Sequence, residues 1–456
     1  MTGGPFTMQS FITPPGVPAF PKVERGEGIY IWGADGRRYI DGSSGAVVCT
    51  LGHGNQAVLR AMAEQASKIS FAYARVWESD AHSRLAEQVS ALSGNGFDAA
   101  MFVSGGSEAV EACLKFARQV ACARGEVSRW KVISRVPSYH GSTLGALSVT
   151  GDEEFAEMFR PMIAVHPKVS APLSYRPPGG LDAESHARNC IEELEQTIEA
   201  EGPDTILAVM IEPVGGTATG ALVAPDAYYG SLRDVCTRHG VLLIFDEVMS
   251  CAGRAGRFLA AHYWPSCRPD IIALAKGLSS GYAPLGALLT SSELLAEVRR
   301  MGGFAHGHTY AANPVSCAVG SAALEELVAH DLVQRSAEIG AYLASALGAL
   351  KRVSPLIGDV RGRGLQLAVE IVQNPQTREP FPVGIRAVDR IKEHCLRRGL
   401  VLLSRRTCGG KFGEWLMVCP PLITTREQVD EIVTLFAQAL ADFRDEVTRN
   451  GTAHLP

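Results

Sequence analysis

Neither a GxGxxG turn nor a GxxxxGK[ST] loop occurs anywhere in the 456 residues, which argues against a dinucleotide or a nucleoside triphosphate as ligand. Basic residues are not in excess: the net charge is −5 and Lys and Arg are spread along the chain, so nothing electrostatic points to nucleic acid or an acidic membrane. No run of about 18 uninterrupted apolar residues exists to span a bilayer. The start, Met1-Thr2-Gly3-Gly4-Pro5, lacks the basic and apolar regions of a signal peptide, and the expected location is the cytoplasm. Eleven cysteines (49, 113, 122, 190, 236, 251, 267, 317, 395, 408, 419) include no CxxC pair. They read as small buried thiols in a reducing compartment, not as a disulfide framework or a zinc site. Internal repeats and low-complexity tracts are missing as well.

What is present describes a globular protein: 46% hydrophobic and 20% charged residues, in a chain too long for one ordinary core. Residues 1–27 are rich in Pro and Gly and predict an extended arm. Short strands are expected at 28–32 and 38–41 around the turn Ala34-Asp35-Gly36, then helices over 55–68 and 80–92. From about residue 98, apolar strands alternate with helices. The strands are expected at 99–103, 132–134, 207–211, 241–245, 271–275 and 286–290, with helices at 107–124 and 226–239 between them. This is the pattern of an α/β protein with a mainly parallel sheet. After about 330 the chain reads as helices at 331–351, 384–398 and 426–447 around strands near 365–372, 400–404 and 415–419, a smaller α+β unit. The expected division is 1–70, packing with the small domain; 71–330, the large domain; and 331–456, the small one.

Val241-Leu242-Leu243-Ile244-Phe245 is a strand apolar on both faces, and Asp246-Glu247-Val248 follow at its carboxyl end. Asp270-Ile271-Ile272-Ala273-Leu274-Ala275-Lys276-Gly277 repeats the plan but ends in lysine. Open α/β sheets bind ligands at this edge. A buried lysine has its pKa lowered, which frees the amine for imine chemistry. The pair predicts Lys276 holding pyridoxal phosphate as a Schiff base, with Asp246 facing the pyridine nitrogen. A Mg²⁺ site at Asp246-Glu247 and a surface lysine at 276 are the alternatives. Ser104-Gly105-Gly106-Ser107-Glu108 leads from a strand into a helix whose free N–H groups suit a phosphate; Ser107 could cap that helix and donate to a phosphate oxygen. A plain strand-to-helix turn looks the same. Ser138-Tyr139-His140-Gly141 offers a ring to lie against a heterocycle, or a core aromatic; His140 fits a structural histidine bonded to a backbone carbonyl. Glu212, in Ile211-Glu212-Pro213-Val214-Gly215-Gly216, is a third acid–base group at the same edge. His306-Gly307-His308-Thr309-Tyr310 has two imidazoles without a third metal ligand nearby, and Thr309 is better read as a hydroxyl donor to phosphate.

Together these stretches resemble the class III, or ω-, aminotransferases of fold type I pyridoxal phosphate enzymes. The resemblance runs from the Gly-Xaa-Tyr…Tyr-Ile-Asp-Gly start to Cys419-Pro420-Pro421-Leu422-Ile423-Thr424. SGGSEA, YHG, IEPVGG, FDEV, AKGLSSGYAPLGA and HTYAANPVSCA follow in that family's order. It implies a large domain with a seven-stranded, mainly parallel sheet and a smaller α+β domain. Lys276 would form the internal aldimine and then shuttle the substrate proton; Asp246 would keep the ring nitrogen protonated. Tyr139 and Val248 would sandwich the ring. Gly106 and Ser107 would bind the phosphate, with Thr309 from the partner subunit of a homodimer. Glu212 would hold Asp246 or a cofactor-facing network. Thr217 stands where relatives acting on ornithine or 4-aminobutyrate carry a glutamate, which argues against those substrates. Arg405 and Arg406 are the candidates for gripping a substrate carboxylate, although 407–414 reads as an insertion. Trp77, Phe304 and the 43–49 loop are candidates for the substrate pocket. The expected reaction is amino transfer from an amine or ω-amino acid to a 2-oxo acid such as pyruvate, in two half-reactions. Decarboxylation or racemisation on the same cofactor, a non-catalytic ligand-binding homologue and a nicotinamide oxidoreductase are the competing readings.

Overall fold

Three strands, Ile206–Ile211, Leu242–Asp246 and Ile271–Leu274, are buried at every position, which only a sheet covered on both faces can provide. The computed structural model describes residues 21–94 and 96–449 of the chain. In it these strands form the centre of a seven-stranded sheet. Its order is Ala99–Val103, Gly286–Thr290, Ile271–Leu274, Leu242–Asp246, Ile206–Ile211, Lys131–Val136, Lys168–Ser170. Gly286–Thr290 runs antiparallel to both neighbours; the other pairings are parallel. Because side chains alternate along a strand, each strand feeds two cores. Leu242 and Ile244 join Val110, Cys113, Phe116 and Ala117 of the helix Gly106–Ala123 on one face. Leu243 and Phe245 enter the main core on the other, with Leu232 and Val235 of the helix Asp226–Arg238.

The two ends of the chain meet in the smaller sheets. Val23–Glu27, Tyr30–Gly33 and Arg38–Asp41 form a meander, and Leu400–Val401 adds to it in parallel, pairing Ile40 with Leu400. A third sheet has the order Ile357–Arg363, Gln366–Ile371, Glu414–Val418, Leu403–Arg405. Arg254, 1% exposed, ties these parts together by donating to the carbonyls of Leu365, Cys419 and Pro420 and to the Ser44 hydroxyl. A guanidinium buried this deeply is stable because fixed acceptors replace its water.

The helices expected at 55–68 and 80–92 are Gln56–Lys68 and Asp80–Ser93, capped by the side chains of Asn55 and Ser79. The arm expected over 1–27 lies outside the described residues as far as residue 20, and its last part, Val23–Glu27, is a strand. Elements without a counterpart in the sequence reading include the strands Lys168–Ser170 and Ile357–Arg363 and the helices Ala183–Glu201, Ser292–Arg299 and Pro314–Ala329. Lys168–Ser170 is too short and polar to signal a strand, and Pro314–Ala329 is buried on so many sides that its apolar residues show little stripe. Among the described residues no helix is long and apolar enough to cross a membrane.

Candidate active site

Four parallel strands point their carboxyl ends at one cavity of about 470 Å³, lined among others by Gly106, Ser107, Tyr139, His140, Glu212, Asp246, Val248 and Lys276. The strand 242–246 ends in Asp246, Glu212 follows 206–211, Tyr139 and His140 follow 131–136, and Lys276 follows 271–274. Lys276 is partly exposed, to a cavity it lines, and its backbone sits in the left-handed region at φ +47°. A lysine gains nothing there by itself, and such strain collects at functional sites. Burial holds its amine below the ordinary lysine pKa, although the charges of Asp246 and Glu212 pull the other way.

Asp246 is fixed from two sides. Its Oδ1 accepts from the Val248 N–H at 3.0 Å, and its Oδ2 lies 2.8 Å from His140 Nδ1, with both side chains buried. His140 is thus bonded to a carboxylate and not to the backbone carbonyl expected of it. Its other nitrogen, Nε2, is buried with no hydrogen-bond partner among the described residues. Glu212 does not hold Asp246: its Oε1 accepts from the Gly216 N–H at 2.8 Å and its Oε2 from the Tyr139 N–H at 3.4 Å. It therefore positions the loop carrying the tyrosine. Burial, aided by the charge of Asp246, pushes its carboxyl pKa up, while His140 and Arg135 oppose the shift.

The helix Gly106–Ala123 begins with no side chain capping it. Ser107 lies inside the first turn and accepts from the Ser142 N–H at 3.0 Å, so the expected cap is not made. Glu108 instead accepts from the Ser104 N–H. A Cβ at Gly106 would come within 2.8 Å of Val248 Cγ1, so only glycine allows this approach. An uncapped helix start, a hydroxyl, the ring of Tyr139 with Val248, an acid and an amine on one cavity wall are the donor set that pyridoxal phosphate requires, and the residues present fit it.

Other predicted residues fall elsewhere. Thr309 lines a separate cavity of about 450 Å³ with Arg75, His306 and His308. Trp77 is 67% exposed and does not line the Lys276 cavity, and Phe304 packs edge-on against Phe116. From the 43–49 loop, Val48 lines it. Thr217 does too, and its carbonyl accepts from Trp415 Nε1 at 2.7 Å. The two arginines face opposite ways: Arg405 ends the strand Leu403–Arg405, and Arg406 follows it into a turn. Arg406 is committed to Glu414 at 2.9 Å and to the Val383 carbonyl, away from the site. Arg405 lies with its guanidinium 4.3 Å from the centre of the Tyr139 ring. Among the described residues, the group able to hold a metal is Asp41, Cys49 and His53, not the His306–His308 pair.

The sequence matches the aminotransferase class-III family over residues 12–440. It is 34% identical to the diaminobutyrate–2-oxoglutarate transaminase of Halomonas elongata, over 94% of this chain and 92% of that one. It is 30% identical to the putrescine–pyruvate aminotransferase of Pseudomonas aeruginosa, over 92% of this chain and 90% of that one. Among solved structures, a PLP-bound amine transaminase from an uncultivated Pseudomonas species superposes with a TM-score of 0.89 at 32% identity, covering 97% of this chain and 100% of that one.

Proposed function

This chain belongs to the class III aminotransferase family, it is a pyridoxal phosphate-dependent aminotransferase, and from that premise we propose what its residues do and which substrates they take. The observation that carries the proposal is Lys276 and Asp246 at the ends of two paired parallel strands, on one cavity wall. When bound, the cofactor supplies an aldehyde for the amino group and a ring that accepts the electron pair left when the substrate's Cα–H breaks.

Lys276, whose burial favours the neutral amine, would be the base for the substrate's Cα proton once the cofactor is bound. Asp246 would hold the proton on the ring nitrogen, and His140 orients Asp246. Tyr139 and Val248, both in the cavity wall, would flank the ring. Gly106, Ser107 and the start of their helix seat the phosphate, and Glu212 keeps Tyr139 in position through its N–H. Thr309 completes the phosphate seat of a neighbouring subunit in a homodimer. Support for that comes from the separate cavity it lines and from exposed Phe71, Tyr73, Trp77 and Tyr310, an apolar group that a second copy would cover. We divide the chain at 1–70, 71–330 and 331–456, supported by the sheet that both ends share. The free cysteines support a cytoplasmic location.

The donor is an amine or ω-amino acid and the acceptor a 2-oxo acid such as pyruvate. Thr217 in the cavity wall, and the amine-directed relatives, support this choice. The test is a panel of amines and ω-amino acids with pyruvate or 2-oxoglutarate, read as amino acid formed. Alanine from pyruvate with a simple amine is the expected product. Release of CO₂ or loss of optical activity without amino transfer would overturn the proposal.

A further inference from the structure

Among the described residues no basic side chain apart from Lys276 and His140 lines the 470 Å³ cavity, so none of them brings a guanidinium to the cavity wall for a substrate carboxylate. The guanidinium one ring away is Arg405. It lies between Tyr139, at 4.3 Å from the ring centre, and Phe155, at 5.5 Å, and Tyr139 is itself part of the wall. Its backbone is fixed by pairing with Trp415.

Arg405 already has an anion. Its Nη2 donates to Asp152 Oδ2 at 2.8 Å, and the Asp152 side chain is only 6% exposed. The other oxygen, Oδ1, accepts from the Cys408 N–H at 3.2 Å. Asp152 is thus held by both a cation and a backbone donor, in a place where water screens its charge poorly. A substrate carboxylate reaching Arg405 must share the guanidinium with this anion or displace it, and both raise its free energy. A neutral amine or aldehyde meets no such opposition.

We propose that Asp152 is a built-in rival for the substrate carboxylate at Arg405, which biases the enzyme towards amines and carbonyl compounds that carry no carboxylate. Asp152 is a specificity-setting, positioning residue and touches no reacting atom. The inference rests on the reading of the chain as an aminotransferase centred on Lys276.

The test uses the cofactor-loaded enzyme with one amine donor and two acceptors, pyruvate and propanal, and reads the ratio of their kcat/KM values. Asp152→Asn keeps an acceptor for the Cys408 N–H and removes the charge. It should raise the pyruvate-to-propanal ratio by about tenfold, the effect of one modest ionic contact. Arg405→Ala should lower the ratio, and in that background Asp152→Asn should produce no gain. Should Asp152→Asn fail to fold, Asp152→Ser offers the same comparison. A ratio unchanged or lowered by removing the charge, or a gain that persists without Arg405, overturns the proposal. Absence of amino transfer by the unmodified enzyme to either acceptor overturns the aminotransferase reading instead.

Discussion

His140 Nδ1 lies 2.8 Å from Asp246 Oδ2, and both side chains are buried. This contact fixes the acid proposed to face the cofactor ring, because among the described residues the Asp246 carboxylate's other hydrogen bond comes from the Val248 N–H. Without the imidazole, a buried carboxylate oxygen would lose its partner, at a cost of about 1–3 kcal/mol.

His140→Phe should therefore lower kcat/KM by about 10- to 100-fold. Cofactor titration should show weaker binding together with the slower turnover. Normal turnover in a folded His140→Phe enzyme would remove the histidine from the site.

The burial of Lys276 predicts how the cofactor-free enzyme takes up pyridoxal phosphate. A pKa below the ordinary 10.5 means that the free amine dominates at a lower pH than usual. The rate of cofactor capture should rise with pH and level off below 10.5. Since the Asp246 charge raises the Lys276 pKa, Asp246→Asn should shift the plateau to still lower pH. Stopped-flow absorbance across a pH series measures both.

Arg405 and Arg406 are neighbours with different work, and their variants should separate cleanly. Arg406→Ala leaves the Glu414 carboxylate, 4% exposed, with the Val388 N–H alone. We expect a loss of about 3 kcal/mol in denaturant unfolding. The KM for pyruvate should stay within twofold or so of the unmodified enzyme, since the site is remote from the cavity.

Lys168 gives a pH signature in stability. Burial pushes its amine down to about 7 from 10.5, while it donates to Ser134 Oγ and the Ser148 carbonyl. Between those values the unfolded state binds more protons than the folded one, so this group favours folding increasingly as pH rises. Its penalty is full below about 7 and gone above 10.5. Lys168→Met should accordingly gain on the unmodified protein most at pH below 7 and lose that advantage as pH rises; parallel melting curves would refute it.

The sequence by itself determined the sheet and its reactive edge. Runs such as Val241–Phe245 are apolar without alternation, which requires a strand covered on both faces, and a charged residue after such a run must lie at the sheet's end. That logic located Asp246, Lys276 and Glu212 without coordinates. What it could not decide were relations set by the order of strands in space. His140 and Asp246 are 106 residues apart, and nothing local distinguishes an imidazole bonded to a carbonyl from one bonded to a distant acid. Arg405 and Arg406 are adjacent in sequence, but the strand Leu403–Arg405 stops between them, and which of the two faces Tyr139 depends on how that strand pairs with Glu414–Val418. Trp77 and Phe304 were drawn into the pocket by nearness in sequence to the motifs. Neither lines the Lys276 cavity of its own chain, because contact is a property of the assembled layers and not of chain distance.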